Sequence, residues 1–103
     1  MSTDVFNDNN EHDVKYEFAG QLFVWNSKKY DINVSKHKVT FEEAATVFTD
    51  INTDYYIDEG HSIDENRFIA LGISKYNNLL IICHCMRENE SVIRIISSRK
   101  MKK

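Results

Sequence analysis

Residues 67–98 read RFIALGISKYNNLLIICHCMRENESVIRIISS, and their periodicity decides the fold. Arg67 to Ile73 and Ser91 to Ser98 are rich in β-branched residues, and Leu79 to Met86 is nearly all apolar, so each run reads as a strand. Ser74-Lys75-Tyr76-Asn77-Asn78 and Glu88-Asn89-Glu90 are short polar clusters of the kind that reverse a chain. Three strands joined by two tight turns make an antiparallel meander. The middle run, interrupted only by His84 among its apolar neighbours, is what a central strand covered on both faces looks like.

Moving toward the N-terminus, the period changes from two to that of a helix. Thr40-Phe41-Glu42-Glu43 has capping-box spacing, with Thr40 as N-cap and Glu43 reaching back to its amide. Phe41, Ala44, Ala45 and Phe48 then form one apolar stripe, which Asp50 and Asn52 end. Asn26 is placed to cap an earlier helix over Ser27 to Lys38. Tyr16 to Trp25 reads as one strand or two short ones, with Gly20 marking a kink or bulge, and Asp54 to Ile57 as a short strand. Residues 1–14 are polar and acidic and read as a disordered leader, leaving residues 15–103 as a single domain. With no Pro and three Gly, nothing signals a second domain. The expected fold is α+β: two short helices packed on an antiparallel sheet of about four strands.

Composition narrows the function classes. Hydrophobic residues at 42% and twelve aromatics suit a globular chain rather than a disordered one. No apolar run approaches the roughly 18 residues that span a bilayer. The first thirteen residues lack the basic and apolar regions of a signal peptide, so a cytoplasmic location is expected by elimination. Cys83 and Cys85 point to one side of a strand, where a bridge would be strained, so reduced thiols are expected. The net charge of −3 is unevenly spread. Residues 1–66 hold five Lys/Arg against fourteen Asp/Glu, whereas residues 67–103 hold eight against two. Either the C-terminal third presents a basic surface to an anionic ligand, or the two halves interleave and average out.

Phosphate loops, nucleophile elbows and H-E-x-x-H are absent from the sequence. A metal site from His61, Cys83, His84 and Cys85 is disfavoured, because strand alternation sets His84 against both thiols and there is no C-x-x-C pair. No metal or cofactor is therefore expected. What remains is Arg67, Arg87, Arg94 and Arg99 on or beside the meander, with His84 and the segment His61 to Glu65. A symmetric three-residue loop at Glu88–Glu90 would face His84 with Arg94, whereas a four-residue loop would pair His84 with Ile95. RNA cleavage needs the 2′-hydroxyl deprotonated and the pentavalent phosphate stabilised, tasks that imidazole and guanidinium suit without a metal. The bland readings are a hydrogen-bonded sheet histidine, arginines in exposed ion pairs, and His37 favoured by a helix C-terminus. Arg94 is the most telling, since a charge inside Val92-Ile93-Arg94-Ile95-Ile96 must face solvent, a partner or an acid.

Phe23-Val24-Trp25-Asn26, Asn33-Val34-Ser35-Lys36-His37-Lys38-Val39 and Thr40-Phe41-Glu42-Glu43-Ala44 resemble the opening of BrnT-type toxins. His61-Ser62-Ile63-Asp64-Glu65-Asn66-Arg67 followed by Gly72 is similar to that family's middle. His84-Cys85-Met86-Arg87 and Ile93-Arg94-Ile95-Ile96-Ser97-Ser98-Arg99 are similar to its last two strands. The resemblance covers about residues 22 to 100. It implies a RelE-like ribonuclease toxin of a type II toxin–antitoxin system that works without a metal and blocks translation by cutting RNA. It further implies a BrnA-type antitoxin as partner, with operator DNA bound only through the toxin–antitoxin complex, no membrane contact, and a homodimer left open. Arg67, Arg87, Arg94 and Arg99 are the expected phosphate-binding catalytic residues. His84, and secondarily His61 or Glu65, are expected in proton transfer, and Lys36, His37 and Lys100 as RNA contacts. Asn26 replaces the family's usual acid, and the sequence stops at Lys103, where the family commonly continues. The second expectation is accordingly a catalytically weakened homologue that binds antitoxin or nucleic acid. A nucleic-acid-binding module should expose aromatics among its basic residues; here most aromatics lie in residues 1–56, apart from the arginines.

Overall fold

In the computed structural model of the chain, residues 11–61 and 65–101 are described. The elements run β1 (Asp13–Phe18), β2 (Gln21–Asn26), α1 (Ser27–His37), α2 (Phe41–Val47), β3 (Asp54–Ile57), a 3-10 turn (Glu59–His61), β4 (Phe68–Ile73), β5 (Leu79–Arg87) and β6 (Val92–Lys100). Residues 1–10 of the expected leader lie outside the described residues. Asp13 and Val14, assigned to its end, open β1.

Local chemistry sets the helix ends. The Asn26 side chain accepts from the amides of Lys28 and Lys29, and Lys38 ends α1 in the left-handed region at φ 59 with its amide donating to Val34. Such a cap contributes about 1 kcal/mol. Thr40 Oγ1 accepts from the Glu43 amide at 3.0 Å. Glu43 itself turns away from the expected capping box, because two better donors lie inside the fold. Its carboxylate accepts from Ser74 Oγ at 2.6 Å and Asn78 Nδ2 at 2.8 Å, tying α2 to the β4–β5 turn.

The strands form one six-stranded sheet in the order β1-β2-β6-β5-β4-β3. The expected count of about four is too low for two reasons. Ala19 and Gly20 take φ of 52 and 82, a two-residue reversal that splits Tyr16–Trp25 into two paired strands, so Gly20 marks a hairpin rather than a bulge. β3 adds itself to the far edge by pairing with β4. The sheet is also mixed: β2 runs parallel to β6, while the other neighbours are antiparallel. That pairing needs a crossover, and α1, α2 and the meander supply it.

Both helices pack on one face. Phe23, Trp25, Ala70, Leu80, Ile82, Ile93 and Ile95 from the sheet meet Val39, Phe41, Ala44, Ala45 and Val47 in a single core. Burying each large side chain contributes about 1.5–3 kcal/mol. Trp25 is the hub, stacking on Tyr30 and meeting Phe41 edge-on. Tyr30 Oη donates to Glu42 at 2.7 Å, and burial together with that bond pushes the phenol up to about 12. β5 is central, but it is helix-covered on one face only. Leu80, Ile82 and His84 are buried, whereas Ile81 and Cys83, pointing the other way, are half-buried. The expectation of two covered faces is thus corrected: the chain's two helices are both used on the same side.

The β5–β6 register decides where the charged residues go. Arg87 pairs with Val92, so the connection is the four-residue Glu88–Ser91, with Glu88, Asn89 and Glu90 all at positive φ. His84 therefore pairs with Ile95, and Cys85 pairs with Arg94. This removes the His84–Arg94 pairing: the two side chains stand on opposite faces of the sheet. The ladder shifts between Cys83 and His84, leaving Ile96 as the extra residue of a bulge.

Candidate functional site

Cys83, Cys85 and Arg87 alternate onto the face that the helices leave open, and Arg94 joins them through its pairing with Cys85. Arg87 and Arg94 are diagonal neighbours on that face, a relation that sets residues about 7–8 Å apart. Arg67, just before β4, lies close enough to Cys83 for its charge to oppose the upward push of burial on the thiol. Two of the four expected arginines, Arg87 and Arg94, thus share one depression, with Arg67 near Cys83. Arg99 shares the face through its pairing with Ile81 but lies five residues along β6, about 15 Å at strand rise.

Carboxylates hold two of these arginines. Arg94 reaches both oxygens of Asp13, at 3.0 and 3.3 Å. Arg87 Nη1 meets Glu65 Oε1 at 2.7 Å and Cys85 Sγ at 2.9 Å. Hydrogen bonding from Arg94 holds the Asp13 carboxyl below its ordinary value, and Arg87 does the same for Glu65. Burial pushes the Cys85 thiol up, so it stays protonated beside the guanidinium. Both cysteines are free.

Two depressions carry this chemistry. One, about 600 Å³, lies on the open face between Lys15, Val24, Arg87 and Arg94. The second, about 570 Å³, passes around the end of the sheet between Glu65, Asn66, Phe68, Met86 and the Glu88–Glu90 turn. Arg87 and Glu88 line both, so the two adjoin.

The other expected site residues scatter. His84 is 3% exposed on the helix side, its Nδ1 3.5 Å from the Ile82 carbonyl, and burial lowers its pKa. It lines a third depression with Phe48, Tyr55, Phe68, Met86, Glu90 and Ile93. Lys36 and His37 line a separate hollow with Lys29, Ile32 and Asn33 on α1, bounded by Ile96 and Ser97. Lys100 is exposed at the end of β6 and pairs with Leu80 of the helix-side row. His61 falls in the 3-10 turn, and Ser62 to Asp64 lie outside the described residues. Among the described residues, no three His, Cys, Asp or Glu side chains are grouped to hold a metal ion, and no helix is long and apolar enough to cross a membrane.

Two participants escaped the sequence reading. Asp13 was assigned to the leader, although Asp13-Val14-Lys15-Tyr16-Glu17-Phe18 alternates polar and apolar as a strand does. Lys15 joins the arginine groove for the same reason. Phe48 and Tyr55 come from residues 1–56 and line a helix-side depression with His84 and Met86, which stand three residues and one residue before Arg87 in β5.

The open sheet face of this small α+β domain thus carries a charged groove in which Lys15, Arg87 and Arg94 stand beside Asp13 and Glu88. Residues 25–103 match the family model described as a ribonuclease toxin, BrnT, of type II toxin-antitoxin system. The chain belongs to this BrnT family. Comparison with curated proteins gave no match.

Proposed function

We propose that the chain is a metal-independent, RelE-like endoribonuclease whose working surface is the open sheet face around Arg67, Arg87 and Arg94. The observation that carries this reading is that Arg87 and Arg94 are diagonal neighbours on one face and line one depression, with Arg67 acting on Cys83 nearby. Guanidinium forks suit a scissile phosphate, where negative charge builds as the 2′-oxygen attacks. Of the groups considered for proton transfer, Glu65 is the better placed, since it already touches Arg87. An RNA phosphate binding Arg87 would displace the Glu65 carboxylate and restore its basicity. Glu65 would then take the 2′-hydroxyl proton as the new oxygen–phosphorus bond forms. The phosphorus–5′-oxygen bond breaks, and the leaving oxygen takes a proton from water.

In this reading RNA cleavage arrests translation and a BrnA-type antitoxin neutralises the toxin, the complex alone binding operator DNA. Expression should stop growth and cleave RNA, and cleavage by purified protein should persist in EDTA. Arg94→Ala should lower cleavage about 10²–10³-fold, the loss typical of one transition-state donor, with antitoxin binding retained. Intact RNA and normal growth with folded toxin present would overturn the reading. The rival, a weakened homologue that only binds antitoxin or nucleic acid, draws its support from the Asp13 and Glu65 carboxylates already occupying Arg94 and Arg87.

A further inference from the structure

The arginine groove does not end at the sheet edge. Phe68, Met86 and Glu90 line both the depression that contains Arg87 and the smaller one, about 310 Å³, that contains His84. The two depressions therefore adjoin beside the β5–β6 turn, one holding Arg87 and the other forming a recess on the helix side. The recess is built of rings. Phe48 and Tyr55 stand edge-on to His84 at 4.9 and 6.2 Å between centroids, and Phe68 is tilted against it at 5.8 Å.

We infer that this recess receives one nucleobase of the RNA whose phosphate lies on Arg87 and Arg94, an assignment that rests on the ribonuclease reading above. Aromatic faces beside a backbone-tracking basic groove are how single strands are held without regard to sequence. The charge pattern sets the polarity across the turn. Glu90, which lines both depressions, repels a phosphate at the turn, so the backbone stays on the arginine side and the uncharged base crosses to the rings. His84 adds a ring nitrogen to an otherwise apolar floor. Tyr55, on the edge strand β3 and 53% exposed, forms the accessible wall.

The test uses the full chain and two single-stranded probes: a 2′-O-methyl oligonucleotide, which cannot be cleaved through its 2′-oxygen, and the same backbone without bases. The base-bearing probe should bind more tightly. Tyr55→Ala should weaken that probe about fivefold to a hundredfold, the range of one lost stacking partner, and Tyr55→Phe should restore it. The abasic probe should be unaffected by either change but weakened by Arg87→Ala. Equal affinity for the two probes, with Arg87→Ala weakening both, would overturn the base recess and leave the arginine surface standing. Insensitivity of both probes to Arg87→Ala would overturn the two together. A Tyr55→Ala variant that binds RNA normally and loses antitoxin would assign the recess to the protein partner instead and overturn the inference.

Discussion

His84 stands opposite Ile95 across the β5–β6 ladder, and that single pairing sends the histidine to the helix side while Arg94 stays on the open face. His84 is buried there, and desolvation lowers its pKa from the ordinary value. The unfolded chain takes up its proton near pH 6.5, before the folded one does. Stability from the neutral ring is therefore fully present above about pH 6.5 and is lost as pH falls toward the lower folded value. The urea midpoint should fall between pH 6.5 and 5, and His84→Phe, which keeps the ring packing, should flatten that slope. An unchanged slope in the variant would refute the assignment.

Glu65 as base predicts a different pH signature. Its carboxyl is held low by Arg87, so it stays ionised in the free enzyme down to below the ordinary glutamate value of about 4.3. The acid limb of kcat/KM should accordingly lie below that value, wherever circular dichroism shows the fold intact. Glu65→Gln should reduce kcat about 10²–10⁴-fold with RNA binding maintained. A variant with near-normal kcat would exclude Glu65 from proton transfer.

The Asp13–Arg94 pair competes with any phosphate that Arg94 binds. Its carboxylate side chain is 53% exposed, so its contribution to stability is small, about 1 kcal/mol at most. Asp13→Asn should raise affinity for a non-cleavable oligonucleotide by up to about fivefold and leave the melting temperature nearly unchanged. Weaker RNA binding in Asp13→Asn would show that the carboxylate positions Arg94 rather than competing for it.

Asn33 completes the β6 edge where β2 departs. Its amide donates to the Val39 and Ser98 carbonyls at 3.0 and 2.8 Å, and its oxygen accepts from the Ser98 amide at 3.0 Å. Asn33→Ala leaves these buried groups unpaired and should cost roughly 3 kcal/mol in denaturant unfolding. Ser98 Oγ, in contrast, has no partner among the described residues. Ser98→Ala should be neutral or stabilising, and a large loss there would contradict the bonding described.

Gly72 is required by space rather than by backbone conformation. A Cβ at this position would meet Thr53 Oγ1 and come within 2.8 Å of Val47 Cγ1. Thr53 is buried and held by its bond to the Val47 carbonyl at 2.7 Å, so it cannot swing aside freely. Gly72→Ala should destabilise the fold by about 1–3 kcal/mol, measured by urea unfolding. A neutral effect would mean that α2 shifts on the sheet more easily than this packing allows.

Much of this was legible from the chain. Asn26 and Thr40 mark their helices because side-chain caps act within three residues, and the meander declares itself by a period of two. The arginines and Glu65 were recognisable as candidates by residue type and place. Less legible were Asp13, obscured by the acidic residues before it, and Glu43, which found tertiary donors in Ser74 and Asn78 instead of its own helix end.

The sequence by itself determined the element types, the basic meander and membership of the toxin family, since each depends on local pattern or residue order. Tertiary structure decided which side chains share a face. One additional residue in the Glu88–Ser91 connection inverts the pairing of His84, because strand side chains alternate with a period of two. Six strands in the order β1-β2-β6-β5-β4-β3 then bring Asp13 to Arg94 and Phe48 and Tyr55 to His84. Such contacts join residues distant along the chain, and local periodicity carries no information about them.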